Sequence, residues 1–273
     1  MYDGNNAKMH IYDEETVGGK SSLSAAHSRA GENAADLVEM AETEVEGGSK
    51  YKGQWKGHHR HGYGILTRPD GQAYEGYFQD SRAHGHGVFS AANGNRYDGE
   101  WDQDRAHGYG KYVHVDGSTY EGEWYQDEKS GRGVENWADG ARYEGEFRHG
   151  SKHGKGVYRS GTGVQYEGQF QQDKMDGEGC YKFNDGRVYR GQWQRGHMTG
   201  QGKMEWPNGS RYVGNYVQDM KNGEGTFQWP DGRIYKGQWS NGKQDGIGVT
   251  IDSTGAQEKG RWSNGELLDS EMQ

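Results

Sequence analysis

The sequence holds one cysteine, Cys180, and three prolines in 273 residues. A single thiol excludes an internal disulfide framework. So little proline excludes a proline-rich linker. No apolar run approaches the ~18 residues of a membrane-spanning helix, and the N-terminus has no signal-peptide core. Tyr2 stands where a myristoyl site needs glycine, and the terminal LLDSEMQ carries no prenylation box. Excess basic charge is also missing. The formal net charge is -9, with four basic against ten acidic residues in the first 50, and 28 against 31 in the remainder. The body is nearly neutral and the head is acidic, so a nucleic-acid surface, which needs a strongly basic face, is excluded. A cytoplasmic protein is the expectation.

What is present pulls two ways. There are 49 glycines, more than twice the average usage of roughly 7%. Only 30% of residues are hydrophobic, a composition that favours disorder. Yet 12% are aromatic, including nine Trp and nineteen Tyr, and disordered chains are poor in aromatics.

Periodicity resolves the conflict. Tyr-x-Gly recurs at Tyr51, Tyr74, Tyr97, Tyr120, Tyr143, Tyr166, Tyr189, Tyr212 and Tyr235, always 23 residues apart. A tenth copy opens at Glu258 without its Tyr or its later glycines. Numbering each repeat from its Tyr, position 5 is always aromatic: Trp55, Phe78, Trp101, Trp124, Phe147, Phe170, Trp193, Tyr216, Trp239 and, in the tenth copy, Trp262. Glycine fills positions 3, 12, 14 and 21 of all nine full repeats, and all three prolines sit at position 19.

Positions 1–5 alternate, with Tyr, Gly and an aromatic on one face and mostly polar residues on the other, which is strand periodicity. Glycine at position 3 lets a ring lie on bare backbone. Positions 14–18 form a second strand, with Phe89, Tyr112, Tyr158, Tyr181 and Phe227 at position 16. Positions 19–21 read as a tight turn such as Pro-Asp-Gly. Positions 6–12, polar and ending in Gly, read as a longer hairpin loop. Each repeat is therefore a β-hairpin. A lone hairpin is marginal in water, so the hairpins must stack side by side. The expected fold is all-β: an elongated, solenoid-like single antiparallel sheet with continuous aromatic ribs. Strands about 4.8 Å apart advance it roughly 9.6 Å per repeat, on the order of 85 Å for the array.

The motifs YEGEW and YEGEF, followed by HGKG and PDG or ADG at this period, resemble the MORN (membrane occupation and recognition nexus) repeat. With the composition of the head, this gives three expected parts: an acidic, mostly disordered segment over 1–50, nine repeats over 51–257, and a partial tenth repeat or cap over 258–273. The resemblance implies rods of hairpins, as in junctophilins, ciliary radial-spoke head proteins, apicomplexan cytoskeletal proteins and plant phosphoinositide kinases, and it implies function only loosely. Glu135 and Thr250 depart from the aromatic position 16 and predict weaker local packing.

The motifs that come nearest to catalytic or cofactor chemistry each lack a part of it. Gly237–Gln244 matches a phosphate loop except that Gln replaces the Mg²⁺-holding Ser/Thr, and it runs from a strand into a hairpin rather than into a helix. His58, His59, His61, His84, His86, His107 and His153 cluster early. Those at position 11 are a repeat apart, too coarse a spacing to converge on zinc; only the HHRH knot with His84 could do so. Cys180 reads as a small semi-buried hydrophobe. The expectation is no enzyme and no cofactor.

Position 9 or 10 carries Arg60, Arg82, Arg105, Lys129, Lys152, Lys174, Lys221 and Lys243. If stacked on one edge they would make a basic rail for anionic phospholipid, each worth about 1 kcal/mol near a bilayer. Asp104, Asp127, Asp173 and Asp219 beside it would cancel much of that. Over 33–46, ADLVEMAETEVE reads as a short acidic helix that caps the first hairpin, binds a partner or frays. The leading function is a non-catalytic scaffold or tether that organises protein partners at cytoskeletal, ciliary or membrane-associated structures, with homo-dimerisation through the repeat ends as a further expectation. The alternatives are a phosphoinositide-binding membrane module and a regulatory arm related to a lipid kinase.

Overall fold

The computed structural model describes residues 37–272. They form an open, all-β arrangement of antiparallel hairpins, divided into two compact units, one ending at Ala138 and one beginning at Asp139. The first holds β1 (Val38–Glu44), β2 (Lys50–Lys56), β3 (His59–Thr67), β4 (Ala73–Gln79), β5 (Arg82–Ser90), β6 (Arg96–Asp102), β7 (Arg105–Val113), β8 (Thr119–Tyr125) and β9 (Glu128–Asn136). The second holds β10 (Arg142–Arg148), β11 (Ser151–Arg159), β12 (Gln165–Gln171), β13 (Lys174–Lys182), β14 (Val188–Gln194), β15 (His197–Glu205), β16 (Arg211–Val217), β17 (Met220–Gln228), β18 (Ile234–Ser240), β19 (Lys243–Ile251), β20 (Gln257–Ser263) and β21 (Glu266–Met272). Within each unit every strand pairs antiparallel with the next in sequence, as β2 with β3 and β20 with β21.

The hairpin loop is shorter than the sequence predicts. Strands end at position 6 and restart at position 9, so the loop is two residues. From the second repeat on both carry positive φ, as at Gln103 (49°) and Asp104 (69°), or Asn241 (49°) and Gly242 (85°), while in the first only Gly57 (61°) does. Such turns match the twist of the strands they join. Positions 9–12 therefore belong to the second strand, and the HGKG of the fifth repeat lies inside β11, not in a loop. The turn between repeats is tight. In the first, Gly71 N–H donates to Arg68 O at 3.0 Å and Arg68 N–H to Gln72 O at 2.8 Å, while Asp70 Oδ1 accepts from Gln72 N–H at 2.9 Å.

The predicted helix over 33–46 is not formed where the structure describes it. Val38–Glu44 is a strand, β1, paired with β2, and residues 33–36 lie outside the described residues. The edge of β2 offers a ladder of backbone partners that an isolated short helix cannot match. A single 3-10 turn, Glu46–Gly48, leads from β1 into β2.

Candidate functional site

One ring and two glycines make the centre of each repeat. The position-1 tyrosines are buried; Tyr51, Tyr97, Tyr143, Tyr189, Tyr212 and Tyr235 are fully so. Glycines 3 and 14 face each other across the hairpin, as Gly99 and Gly110 do, and leave a slot for the ring. A Cβ on Gly110 would stand 2.3 Å from the Tyr97 hydroxyl oxygen. The hydroxyl reaches beyond the slot and donates to the carbonyl of position 4, as Tyr97 to Glu100 O at 2.9 Å and Tyr189 to Gln192 O at 3.0 Å. That carbonyl sits at a bulge, where the register shifts between positions 3 and 5.

The bulge is held from its other side. Glycine at position 12 has positive φ, as Gly108 (64°) and Gly154 (57°). The position-4 Glu or Gln folds over it and accepts from the next backbone N–H: Gln54 from Tyr63 at 2.8 Å, Glu123 from Arg132 at 2.8 Å, Gln192 from Gln201 at 2.9 Å. Sequence reading treats position 4 as merely polar and misses this clasp. The recurrence of Glu or Gln there was the available signal.

Repeats lock together through rings and turns. Within each unit, position-5 rings pack edge-on against the Tyr of their own repeat and, from the second repeat of the unit on, that of the preceding one, Trp262 having only the preceding Tyr235. Trp101 lies 4.9 Å from Tyr97 and 5.4 Å from Tyr74; Trp239 lies 5.3 Å from Tyr235 and 5.2 Å from Tyr212. Such contacts add about 0.5–1.5 kcal/mol beyond burial. At the hairpin turn, position 8 of one repeat docks on position 10 of the previous one. Asp127 N–H donates to Ala106 O at 3.0 Å, and Asp127 Oδ1 accepts from Ala106 N–H at 2.8 Å. Asp104, Asp173 and Asp219 repeat the second bond on Ala83, Lys152 and Met198. These acids tie repeats together rather than simply offsetting neighbouring cations. Burial raises the Asp104 carboxyl above its ordinary range, against the pull of its hydrogen bond from Ala83. Asp127→Ala should cost about 1–3 kcal/mol and expose the Ala106 amide to hydrogen exchange, whereas unchanged protection there would refute the clasp.

The eight candidate cations do not form one rail. Position 10 pairs with position 5 and faces the rings, while position 9 pairs with position 6 and faces the other way. Arg60, Lys129, Lys152 and Lys221 are half-buried against rings: Arg60 is 6.0 Å from Tyr51, Lys129 is 5.1 Å from Tyr120, Lys152 is 5.6 Å from Tyr143 and Lys221 is 4.0 Å from Trp239. Lys129 also pairs with Glu135, which supplies a partner for the acid that replaces the position-16 aromatic. Arg82, Arg105, Lys174 and Lys243 are exposed. Strand alternation separates adjacent positions onto opposite faces, so only this second set is available to an outside surface.

Lys221 is the most perturbed cation. Burial pulls its ammonium down to about 8, partly offset by the faces of Trp239, Phe227 and Tyr212. The folded value lies below the unfolded ~10.4, so the folded state sheds its proton first. Wild type therefore gains stability as pH rises through 8 toward 10.4. Relative to wild type, Lys221→Met should be at its most favourable near pH 7 and lose roughly 1 kcal/mol of that difference by pH 9.5, after discounting for partial exposure. Urea midpoints at the two pH values read this; an unchanged difference would show an unshifted amine.

The other candidates do not converge. His61 Nδ1 lies 3.6 Å from Asp80 and His84 Nδ1 lies 3.3 Å from Asp102, and no group of three potential metal ligands occurs among the described residues. Gly237–Ser240 lies in β18 and runs through a two-residue turn into β19, with no helix. Cys180 is half-buried. No helix among the described residues is long and apolar enough to cross a membrane.

The fold defines a class: an all-β repeat protein built of stacked antiparallel hairpins. The MORN repeat model matches residues 51–73, 74–96, 97–119, 120–142, 143–165, 166–186, 189–211, 212–232 and 235–257. The chain belongs to the MORN-repeat family. No curated protein matches it. Among solved structures it is similar to the SAS-4 (dCPAP) TCP domain of Drosophila melanogaster in complex with a proline-rich motif of Ana2, at 12% identity over 88% of this chain and 99% of that one, TM-score 0.26. It is also similar to a mutant TCP10 domain of Danio rerio CPAP, at 14% identity over 77% and 99%, TM-score 0.26. Likenesses this weak carry no argument about partners.

Proposed function

We propose that this protein is a scaffold or tether that holds protein partners of cytoskeletal or ciliary structures in register. The supporting observation is the regularity of the junctions. The same ring contact and turn clasp recur at successive repeats within each unit, and a one-dimensional array of this kind presents its outward side chains at a fixed interval. Proximity labelling from the full chain in its source cell tests this: enrichment of cytoskeletal or ciliary proteins supports it, and labelling no different from a diffuse control sinks it.

Membrane contact is the second reading, and it rests on the exposed position-9 cations. Arg82 and Arg105 hydrogen-bond neutral amides, Gln103 at 3.2 Å and Gln126 at 3.5 Å, and neither sits in an ion pair among the described residues, although the Arg82 charge also acts on Asp104. Flotation with vesicles containing phosphatidylserine should then be salt-sensitive and fall at least fivefold in Arg82→Glu/Arg105→Glu, while Lys152→Gln, whose ammonium lies on Tyr143, leaves it unchanged. Absence of flotation by the wild type removes this reading.

A further inference from the structure

β1 stands where a complete repeat would place its second strand. Between repeats, positions 12, 14 and 16 of one pair with positions 5, 3 and 1 of the next, as Gly62 with Phe78, Gly64 with Gly76 and Leu66 with Tyr74. β1 meets β2 in the same frame: Val38 with Trp55, Met40 with Gly53 and Thr43 with Tyr51. The turn that follows also matches. Val45 N–H donates to Ser49 O at 2.7 Å, as Arg68 N–H does to Gln72 O at 2.8 Å. β1 and its turn are half a repeat.

The half-repeat fits loosely. Its register shifts between Met40 and Thr43, and Val38 and Met40 are 61% and 44% exposed. The Trp55 indole nitrogen is buried with no partner, whereas Trp101 and Trp124 donate to Gly87 O and Gly110 O of the preceding repeat at 2.9 and 3.0 Å. The indole of Trp193 in the second unit is also unpaired, so the orphan alone does not mark an end; the bulge and the exposure do. What holds β1 includes charge. Glu39, Glu42 and Glu44 lie along a strand paired with one carrying Lys50, Lys52 and Lys56, and Glu42 sits 3.2 Å from Lys50. The bulge and the same acids blunt the outer edge of β1 against strand addition.

β21 has the features of a replacement. It pairs with β20, with Ser270 opposite Gly260 as Gly248 is opposite Gly237, and no strand covers its other edge among the described residues. It is also acidic, with Glu266 and Asp269. We propose that β1 is a removable cap on the first repeat, and that β21 of a second copy docks on β2 when β1 is released. The contact is head-to-tail rather than two-fold, so it adds copies one after another, into rings or open filaments. Tethering gives β1 an effective concentration on the order of mM, so the cap wins against a second chain at micromolar concentration. This deepens the scaffold reading and rests on it, but a monomeric chain could still tether partners, so the two can fail separately.

The test uses the full chain carrying Glu39→Lys/Glu42→Lys/Glu44→Lys, which repels β1 from β2. Hydrogen exchange should show 38–44 deprotected, and sedimentation velocity should show species growing with concentration where the wild type stays a single species. Adding Glu266→Lys/Asp269→Lys to that variant should weaken assembly at least tenfold. Three results overturn the proposal: 38–44 staying protected, a released but monomeric variant, or assembly indifferent to the changes in β21.

Discussion

Replacing Gly110 by alanine is expected to open the third hairpin at a cost of about 3 kcal/mol or more. The added Cβ would stand 2.3 Å from the Tyr97 hydroxyl oxygen and 2.5 Å from its Cζ. Tyr97 cannot yield. It is fully buried, its hydroxyl is bonded to Glu100 O, and its ring is wedged between Trp101 and Trp124 at 4.9 and 5.3 Å. The same substitution at Gly117 meets no atom within 4 Å and only the penalty of φ +90°, about 1–2 kcal/mol. Neighbouring repeats support one another, so the loss should spread to β5 and β8 before it reaches distant strands. Hydrogen exchange resolves this where a single unfolding midpoint does not. Equal effects from the two alanines would show that the slot is not tight.

Raising the pH above 10 should unfold the array steeply. Burial pushes the hydroxyls of Tyr51 and Tyr235 up to about 12. It raises those of Tyr74, Tyr97, Tyr120, Tyr166, Tyr189, Tyr212 and Tyr216 as well. The unfolded value is ~10, so the folded state keeps protons that the unfolded state gives up. Stability from this source is whole below pH 10 and falls as pH rises toward and through the folded values, by about 1.4 kcal/mol per pH unit for each tyrosine. With four or more such tyrosines in each unit, the combined loss within a unit reaches the ~5–15 kcal/mol that holds a typical domain. Phenolate absorbance and tryptophan fluorescence should therefore change together in one sharp step above pH 10. Gradual ionisation centred at pH 10 with the fold intact would contradict this.

Much of the candidate site could not be read from sequence for a definable reason. Positions 9 and 10 are adjacent, so a list of cations blurs them into one rail. Only the shortness of the turn decides that Lys152 faces Tyr143 while Lys174 faces outward. The acids at position 8 look like neighbours that offset charge, because their partners, such as Ala106 N–H for Asp127, lie one repeat away. The segment around β1 shows a weak helical pattern locally, but its partner, β2, decides its conformation through pairing beyond the local window.

By itself the sequence determined the 23-residue period, the two strands of each hairpin, the face that carries the rings and the family, since each of these follows from side-chain alternation and from glycine at recurrent positions. Only the tertiary structure decided how the hairpins turn, which cations remain outside, what the position-4 and position-8 side chains hold, and that a half-repeat covers the first edge. Those depend on positive-φ turns and on bonds between repeats, where a residue's role is set by the backbone that lies across from it.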